Sequence, residues 1–286
     1  MLDVIILVNL QDKNDLMQKF KAIFKKEKPV IAMIHVHALP GTPKQQFQPQ
    51  EIIDKALEEA RIYKNAGVDA LMIENMHDVP YLKNDVGHEI STLMAIIAYL
   101  IKQEMQLPLG VQILAGANKA ALAVAKAAAI DFVRAEGFVF AHTADEGIIE
   151  AQAAEIMRYR KQIGATDILV FTDIKKKHSS HAITQDISLL DTAKAARFFL
   201  TDGVIVTGNH TGSTASTEEL TLLKKELDFP VLVGSGVALD NVADYLPICD
   251  AMIIGSYFKE NGYWENAIDA SRVKRFMERV EEIRMK

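Results

Sequence analysis

The chain has 286 residues, of which 49% are hydrophobic and 24% are charged. Its 38 acidic and 32 basic residues give a formal net charge of −6, which provides no general attraction for a polyanion, so we expect no nucleic-acid partner. Cys249, the one cysteine, cannot form an internal disulfide and fits a reducing compartment, so we predict a cytoplasmic protein. The apolar runs are shorter than the about 20 residues of a membrane-crossing helix, so we expect no membrane span.

Residues 1–27 are a predicted N-terminal extension. Within it, residues 16–24 (LMQKFKAIF) have the apolar spacing of an amphipathic helix. We expect this helix to cover the open bottom of the domain that follows, residues 28–286. No Gly/Ser linker or Pro-rich segment interrupts those residues, which favours a single domain.

Eight short apolar runs then follow one another along the chain. They are rich in Val, Ile and Leu, and most are continuously apolar, which is typical of parallel strands buried on both faces. The runs cover residues 30–36, 69–75, 108–114, 132–139, 167–174, 203–208, 230–236 and 251–258.

Helical patterns separate these runs. Apolar residues at three- and four-residue spacing indicate amphipathic helices at residues 51–67, 118–129, 148–164, 216–227 and 270–284. Eight successive βα units predict an α/β fold, a single (β/α)8 barrel of TIM type. A doubly wound open sheet is the alternative, but the first strand is followed by HVHALPGTP instead of the G-x-G-x-x-G that this fold requires.

In such a barrel the functional residues come from the carboxyl ends of the strands. Small residues end the last two strands, as GSG at 234–236 and IGSYFK at 254–259. They let backbone N–H groups approach an anion, and a helix expected to begin near Asp240 would direct its positive end to the same place. The alternative is that the glycines only close tight turns. The predicted phosphate-binding residues are Gly234, Ser235, Gly236, Gly255 and Ser256.

Charged side chains at other strand ends are candidates for acid–base chemistry. Glu74 ends the second strand and Asp173 the fifth, so the two carboxylates would meet in one pocket if both face inward. The alternative is that Arg134 or Lys177 holds each carboxylate in a structural ion pair. A lysine of the 175–177 run can bind an anion or form an imine, and we favour anion binding.

Histidines invite a metal hypothesis. His35 and His37 lie two residues apart in the first strand, so both imidazoles would point to the same side. A metal-dependent hydrolase would add further histidines and a carboxylate from the eighth strand, and AMIIGSYF contains no carboxylate. We therefore predict no metal and assign His35 to substrate contact.

Two polar segments between the strands are predicted to be loops. Residues 142–151 (HTADEGIIEA) are expected to form a loop and the start of a helix, with Asp145 or Glu146 near the helix N-terminus. Residues 207–217, rich in Gly and Thr, are expected to form a loop over a bound ligand. Thr207, Gly208 and Asn209 are accordingly predicted to contact that ligand.

Seven segments, in order, resemble the BtpA family: MIH with LPGTP (33–43), IENMHDVP (73–80), ADEGIIE (144–150), TDIKKKH (172–178), IVTGNHTG (205–212), VLVGSGV (231–237) and IIGSYFK (253–259). The resemblance implies a TIM-type barrel from about residue 28 to about residue 280. It does not extend to His37, and QILAGAN (112–118) departs from the photosynthetic branch, which argues against a photosystem role. The positions that the resemblance marks are His35, Glu74, Asn75, Asp145, Asp173, Lys177, His178, Thr207, Gly208, Gly234 and Ser235.

These patterns predict an enzyme that binds a small phosphorylated sugar or related metabolite in a barrel of the ribulose-phosphate-binding type. Glu74 and Asp173 are the predicted acid–base residues, and Lys177 and Arg134 are predicted to hold anionic groups. The reaction class is left open between isomerisation, carbon–carbon lyase chemistry and hydrolysis. The residues predicted to orient the substrate are His35, Asn75, His178 and Asn209.

Two other functions fit the same sequence. One is a non-catalytic assembly or stability factor, which the family's photosystem connection implies, and the other is a metal-dependent hydrolase. We expect no cofactor, and we consider a homo-oligomer possible because barrels commonly pair.

Overall fold

The computed structural model describes residues 10–176, 178–208 and 214–285. Strands in these residues are β1 (Val30–His35), β2 (Ala70–Glu74), β3 (Leu109–Gln112), β4 (Phe132–Ala135), β5 (His142–Ala144), β6 (Gly147–Ile149), β7 (Leu169–Ile174), β8 (Ser179–Ser180), β9 (Gly203–Thr207), β10 (Val231–Gly234) and β11 (Ala251–Ile254). Eight of them, β1, β2, β3, β4, β7, β9, β10 and β11, close in that order into a parallel barrel. Each barrel strand lies within one of the eight apolar runs, so the predicted fold is confirmed.

Helices connect the strands. They are α1 (Leu10–Phe24), α2 (Pro49–Asn65), α3 (His88–Met105), α4 (Asn118–Ala127), α5 (Ala153–Gln162), α6 (Leu189–Phe198), α7 (Thr217–Glu226), α8 (Val242–Tyr245) and α9 (Ala270–Arg284). The Ser216 hydroxyl accepts a hydrogen bond from the Glu219 amide and caps α7. Among the described residues, no helix combines the length and the apolar character needed to cross a membrane.

Side chains alternate between the inside of the barrel and the outer layer of helices. In β1, Ile31 and Met33 belong to the inner cluster, whereas Val30, Ala32 and Ile34 pack outward. Because both faces are buried, both sets are apolar, which is why these strands read as continuous apolar runs.

Close packing inside the barrel requires glycine at Gly110. A Cβ placed there would lie 2.1 Å from Cε2 of Phe132 on the neighbouring strand. Phe132 is fully buried and has no space into which its ring could retreat. Gly110 therefore accommodates the aromatic ring that fills this level of the barrel.

Helix α1 closes the amino-terminal end of the barrel. Phe24 lies 5.5 Å from Phe132 and 6.4 Å from Phe171, measured between ring centroids, and Phe20 lies 6.0 Å from Phe171. Phe20 and Phe24 thus continue the inner apolar cluster beyond the strand starts. The division of the chain at residue 27 stays a prediction, since residues 1–9 lie outside the described ones.

A repeated ion pair fastens this amino-terminal end. An aspartate directly precedes every second barrel strand, accepts a hydrogen bond from a backbone amide at the start of the preceding strand, and pairs with a cation from a helix. The four sets are Asp69 with Val30 and Arg284, Asp131 with Leu109 and Lys102, Asp202 with Val170 and Arg160, and Asp250 with Val231 and Lys224. Each aspartate therefore ties two strands and one helix together.

Two predicted features differ in the structure. Residues 142–149 form a hairpin, β5 and β6, which pairs with β8, and the following helix begins only at Ala153. Gly147 has a φ of 97°, a value that glycine adopts readily, and this closes the hairpin where a helix was expected. Asp145 and Glu146 are consequently hairpin-turn residues and not helix caps.

The helix expected near Asp240 is α8, a single turn with little dipole to direct at an anion.

Candidate functional site

A cavity of about 460 Å³ opens at the carboxyl ends of the barrel strands. Eight of its lining residues were predicted site residues. They are His35, Glu74, Arg134, His178, Ser235, Gly236, Gly255 and Ser256. The cavity therefore lies where the fold rule placed the site.

The polar lining follows from the inward phase of the strands. Glu74 continues the inner positions Ala70 and Met72, and Arg134 continues the inner position Phe132. β2 and β4 are thus apolar at their starts and polar at their last inward positions. This change of character along one face turns the upper end of a packed core into a binding site.

Glu74 and His35 end neighbouring strands and face each other. Their residues pair in register, and Nε2 of His35 lies 3.8 Å from Oε2 of Glu74. Nδ1 of His35 lies 3.1 Å from the carbonyl oxygen of Trp264. A carbonyl only accepts, so Nδ1 is the donor in this bond, and the ring presents Nε2 toward Glu74.

Arg134 and Asp173 form a bidentate pair. Nε and Nη2 of the arginine each donate to one oxygen of the aspartate at 2.8 Å, and both side chains are buried. Although burial opposes the charge, the Asp173 carboxylate raises the pKa of Arg134. This is the ion-pair alternative that the sequence left open, and it occupies both carboxylate oxygens of Asp173. An acid–base role of Asp173 stays a prediction.

Glu136, Gln112 and Lys176 form a second buried network. The Glu136 carboxylate accepts from Nε2 of Gln112 and from Nζ of Lys176, both at 2.7 Å. Burial opposes the charge of Lys176, but the Glu136 carboxylate outweighs it and raises the pKa of the lysine. Lys176 is therefore an ammonium group, which does not attack a carbonyl. Oε1 of Gln112 is buried and has no hydrogen-bond partner among the described residues.

The turns after β10 and β11 form the opposite wall. Ser235 has a φ of 82° and Gly236 a φ of 74°, so the chain turns through two left-handed residues into the cavity. After β11, a Cβ placed on Gly255 would lie 3.3 Å from Nε2 of His35. Glycine at 255 therefore leaves room between this turn and the imidazole.

Loops from distant segments cover the edge of the cavity. Asp145 and Glu146 reach it from the hairpin turn, and Tyr81 reaches it from the loop after β2. Nζ of Lys83 donates to the carbonyl of Ile148 at 3.1 Å, which joins that loop to the hairpin. Burial and the nearby Glu74 carboxylate raise the pKa of Tyr81, so its hydroxyl keeps its proton.

Comparison with known proteins identifies the family. A family model described as the BtpA family matches residues 26–282. The chain belongs to the BtpA family. An uncharacterised mitochondrial protein of Caenorhabditis elegans is 47% identical over 88% of this chain and 92% of its own length. The photosystem I biogenesis protein BtpA of Synechocystis is 30% identical over 91% and 90%.

Solved structures agree with this BtpA chain in fold. Thiamine phosphate pyrophosphorylase from Pyrococcus furiosus aligns with a TM-score of 0.55 at 13% identity, covering 90% of this chain and 96% of its own. N-(5'-phosphoribosyl)anthranilate isomerase from the same organism aligns with a TM-score of 0.54 at 13% identity, covering 89% and 99%. At these identities the likeness shows the barrel fold.

The two histidines that the sequence placed in the first strand separate in this BtpA protein. His35 lies in the cavity, but His37 stacks on His77 at 5.1 Å and against Phe47 at 4.9 Å, between ring centroids. The strand ends at His35, so the alternation that placed both rings on one side does not extend to His37. Over residues 10–176, 178–208 and 214–285, no group of three His, Cys, Asp or Glu side chains is arranged to hold a metal ion.

Several predicted residues of the BtpA site lie beside or outside the cavity. The Asn75 side chain donates to Asp78 and accepts from the Leu114 amide, so it fastens the loops after β2 and β3. Thr207 and Gly234 pair in register at the ends of β9 and β10. Gly208 is buried after β9. Lys177 and Asn209 lie outside the described residues, so their predicted roles stay untested.

Several polar lining residues of the BtpA cavity were not predicted as site residues. Among the three lysines of residues 175–177, Lys176 lines the cavity, and the sequence had no feature that distinguished it. Tyr81, Trp264 and Arg272 come from loops and from a helix start, where the strand-end rule gives no signal. Gln112 and Glu136 share the inward phase of Glu74 and Arg134, and counting that phase along β3 and β4 would have found them.

Proposed function

We propose that this protein is an enzyme that binds a small phosphorylated sugar or related metabolite and transfers protons through Glu74 and His35. The observation that carries this proposal is one cavity in which the Glu74–His35 pair and the Gly236 and Gly255 turns lie on adjacent strands. β11 neighbours β1 in the ring, so an anion at the turns would hold the rest of a small ligand against His35.

Glu74 is the better supported acid–base residue of the two carboxylates. It lines the cavity beside an imidazole, whereas both oxygens of Asp173 accept hydrogen bonds from Arg134. A proton acceptor must reach the substrate, and geometry therefore favours Glu74. We assign Asp173 the role of a positioning residue that fixes Arg134 at the cavity wall.

The buried network of Gln112 supports a ligand that carries hydroxyl groups. Oε1 of Gln112 has no partner among the described residues and lies in a side chain that lines the cavity. A buried acceptor without a hydrogen bond is costly, and a ligand hydroxyl would remove that cost. A sugar provides such donors next to a phosphate.

The test is a screen followed by one substitution. Phosphorylated sugars are screened for raising the thermal unfolding temperature, and those that bind are assayed for turnover. Glu74→Gln is then expected to lower turnover by about 10²–10⁴-fold while the protein stays folded, because the proton acceptor is lost and the shape is kept.

Glu226→Gln, a change of an exposed residue on α7, is the control and is expected to leave turnover unchanged. Equal turnover in Glu74→Gln and the wild type would contradict the proposed acid–base role. Failure of every phosphorylated sugar to bind would remove the substrate class.

A non-catalytic assembly role is the second candidate, because one relative is named a photosystem I biogenesis protein. For a scaffold, Glu74→Gln would leave function intact, whereas changes on the outer helices would abolish it. Location in the cytoplasm and a homo-oligomer stay predictions, which cell fractionation and analytical ultracentrifugation measure.

A further inference from the structure

Three cations line the cavity, and they differ in whether a carboxylate already neutralises them. Arg134 is paired with Asp173, and Lys176 is paired with Glu136. Arg272 lines the same cavity, and among the described residues no carboxylate lies within 4.0 Å of its guanidinium. Its charge is therefore available to a ligand.

Arg272 is held in place by contacts other than a salt bridge of its guanidinium. Nε donates to the carbonyl oxygen of Tyr257 at 2.7 Å, and the guanidinium lies 4.5 Å from the centroid of the Tyr257 ring. The Asp269 carboxylate accepts instead from the backbone amides of Ser271 and Arg272 and from the Ser271 hydroxyl. A fixed guanidinium loses little side-chain freedom when it binds an anion.

The position of Arg272 coincides with the small-residue turns. Tyr257, which anchors it, directly follows Gly255 and Ser256, and all of these residues line the cavity. The Asp145 and Glu146 carboxylates come from the hairpin after β4, across the ring from β10 and β11, and they repel an anion from that part of the cavity. The distribution of charge therefore favours one end of the cavity for a negatively charged group.

We propose that Arg272 is the specificity-determining residue that makes the β10–β11 end of the cavity bind a phosphate monoester. This inference rests on the proposed function and names the residue that selects its substrate class. A guanidinium presents a planar fork of donors to phosphate oxygens, and a monoester offers more negative charge than a diester. The remainder of the ligand then extends toward His35 and the Oε1 atom of Gln112.

The experiment is isothermal titration of the full chain with methyl phosphate and with dimethyl phosphate at constant ionic strength. Wild-type protein is expected to bind methyl phosphate and to bind the diester at least about tenfold more weakly. Arg272→Gln is expected to weaken methyl phosphate binding by about tenfold or more, since a charge-assisted hydrogen bond is lost. Arg272→Lys keeps the charge but loses the planar fork of donors, so its affinity for methyl phosphate is expected to lie between those of the wild type and Arg272→Gln.

The control is Arg279→Gln, on the same helix, where the arginine pairs with Glu282 on the surface. It is expected to bind methyl phosphate as the wild type does, and thermal unfolding without ligand verifies that each variant is folded. If wild type and Arg272→Gln bind methyl phosphate equally, the inference about Arg272 is wrong and the proposed function stands. If wild-type protein binds no methyl phosphate, the phosphate site itself is wrong, and the proposed function fails with it.

Discussion

At the amino-terminal end of the barrel, each of four aspartates pairs its carboxylate with a backbone amide and with a cation from a helix. At the carboxyl-terminal end, Arg272 and Gln112 line a cavity, and among the described residues Oε1 of Gln112 accepts no hydrogen bond. The same strands build both ends. The difference teaches that polar groups paired within the protein stabilise its fold, whereas polar groups without such a pair indicate where we propose that a ligand binds.

The Asp202 anchor provides the largest expected effect at the amino-terminal end. Its carboxylate accepts from the Val170 amide and lies 3.0 Å from Nη1 of Arg160, in a buried position. Asp202→Ala leaves a buried arginine unpaired and is expected to lower the free energy of unfolding by about 3–5 kcal/mol, measured by urea denaturation.

Asp167 offers a matched control at the same end of the barrel. It is exposed and its oxygen lies 3.8 Å from Nζ of Lys126, so Asp167→Ala is expected to cost less than about 1 kcal/mol. Affinity for methyl phosphate should be unchanged in both variants. A loss of affinity in Asp202→Ala, measured where the protein is folded, would show that the two ends are not separable.

The stability of the protein is expected to fall in acid because of His142, near the carboxyl-terminal end of the barrel. Burial, with His181 and Lys176 nearby and only Asp173 opposing them, lowers the pKa of His142 from 6.5 to about 4. Between pH 6.5 and 4 the unfolded chain then binds a proton that the folded protein refuses, so stability falls as the pH falls through this window.

His142→Gln is expected to make the fall in the free energy of unfolding between pH 7 and pH 4.5 smaller by on the order of 1–3 kcal/mol. Urea denaturation at the two pH values measures this difference. His88→Gln, at the exposed start of α3, is the control and should keep the wild-type slope. Identical slopes in wild type and His142→Gln would contradict the assignment.

Two glycine-to-alanine changes compare the ends most directly, with the smallest effects. Gly110→Ala would press against Phe132 in the packed interior and is expected to cost about 1–3 kcal/mol of stability. Gly255→Ala would crowd His35 at 3.3 Å and is expected to cost less than about 1 kcal/mol of stability while weakening methyl phosphate binding severalfold. Equal losses of stability in the two variants would contradict the comparison.

The barrel was predictable because its signal is local. Each strand is buried on both faces and therefore appears as an apolar run, and several strands end in residues that line the cavity, as β2 does at Glu74. The hairpin at residues 142–149 escaped prediction because its third strand, Ser179–Ser180, lies about 30 residues away and Ile148 and Ile149 fit a helical spacing equally well.

The site was predictable in place but not in its internal pairing. The sequence indicated that Glu74, Arg134 and Asp173 end strands. Only the folded structure shows that Arg134 pairs with Asp173 and that Glu74 lies beside His35. Arg272 could not be found in this way, because it reaches the cavity from the first turn of α9 and no strand-end rule applies there. The four aspartate anchors are visible as single letters before strands, but their shared role appears only in three dimensions.

The aromatic residues of α1 that close the amino-terminal end of the barrel limit how a ligand can reach the cavity. Phe20 and Phe24 pack under Phe132 and Phe171, so the described residues leave no passage through the barrel interior. A molecule bound above these rings would enter and leave by the carboxyl-terminal opening. If the protein is the enzyme that we propose, its product must leave before the next substrate binds, and an excess of product in solution would compete directly with substrate.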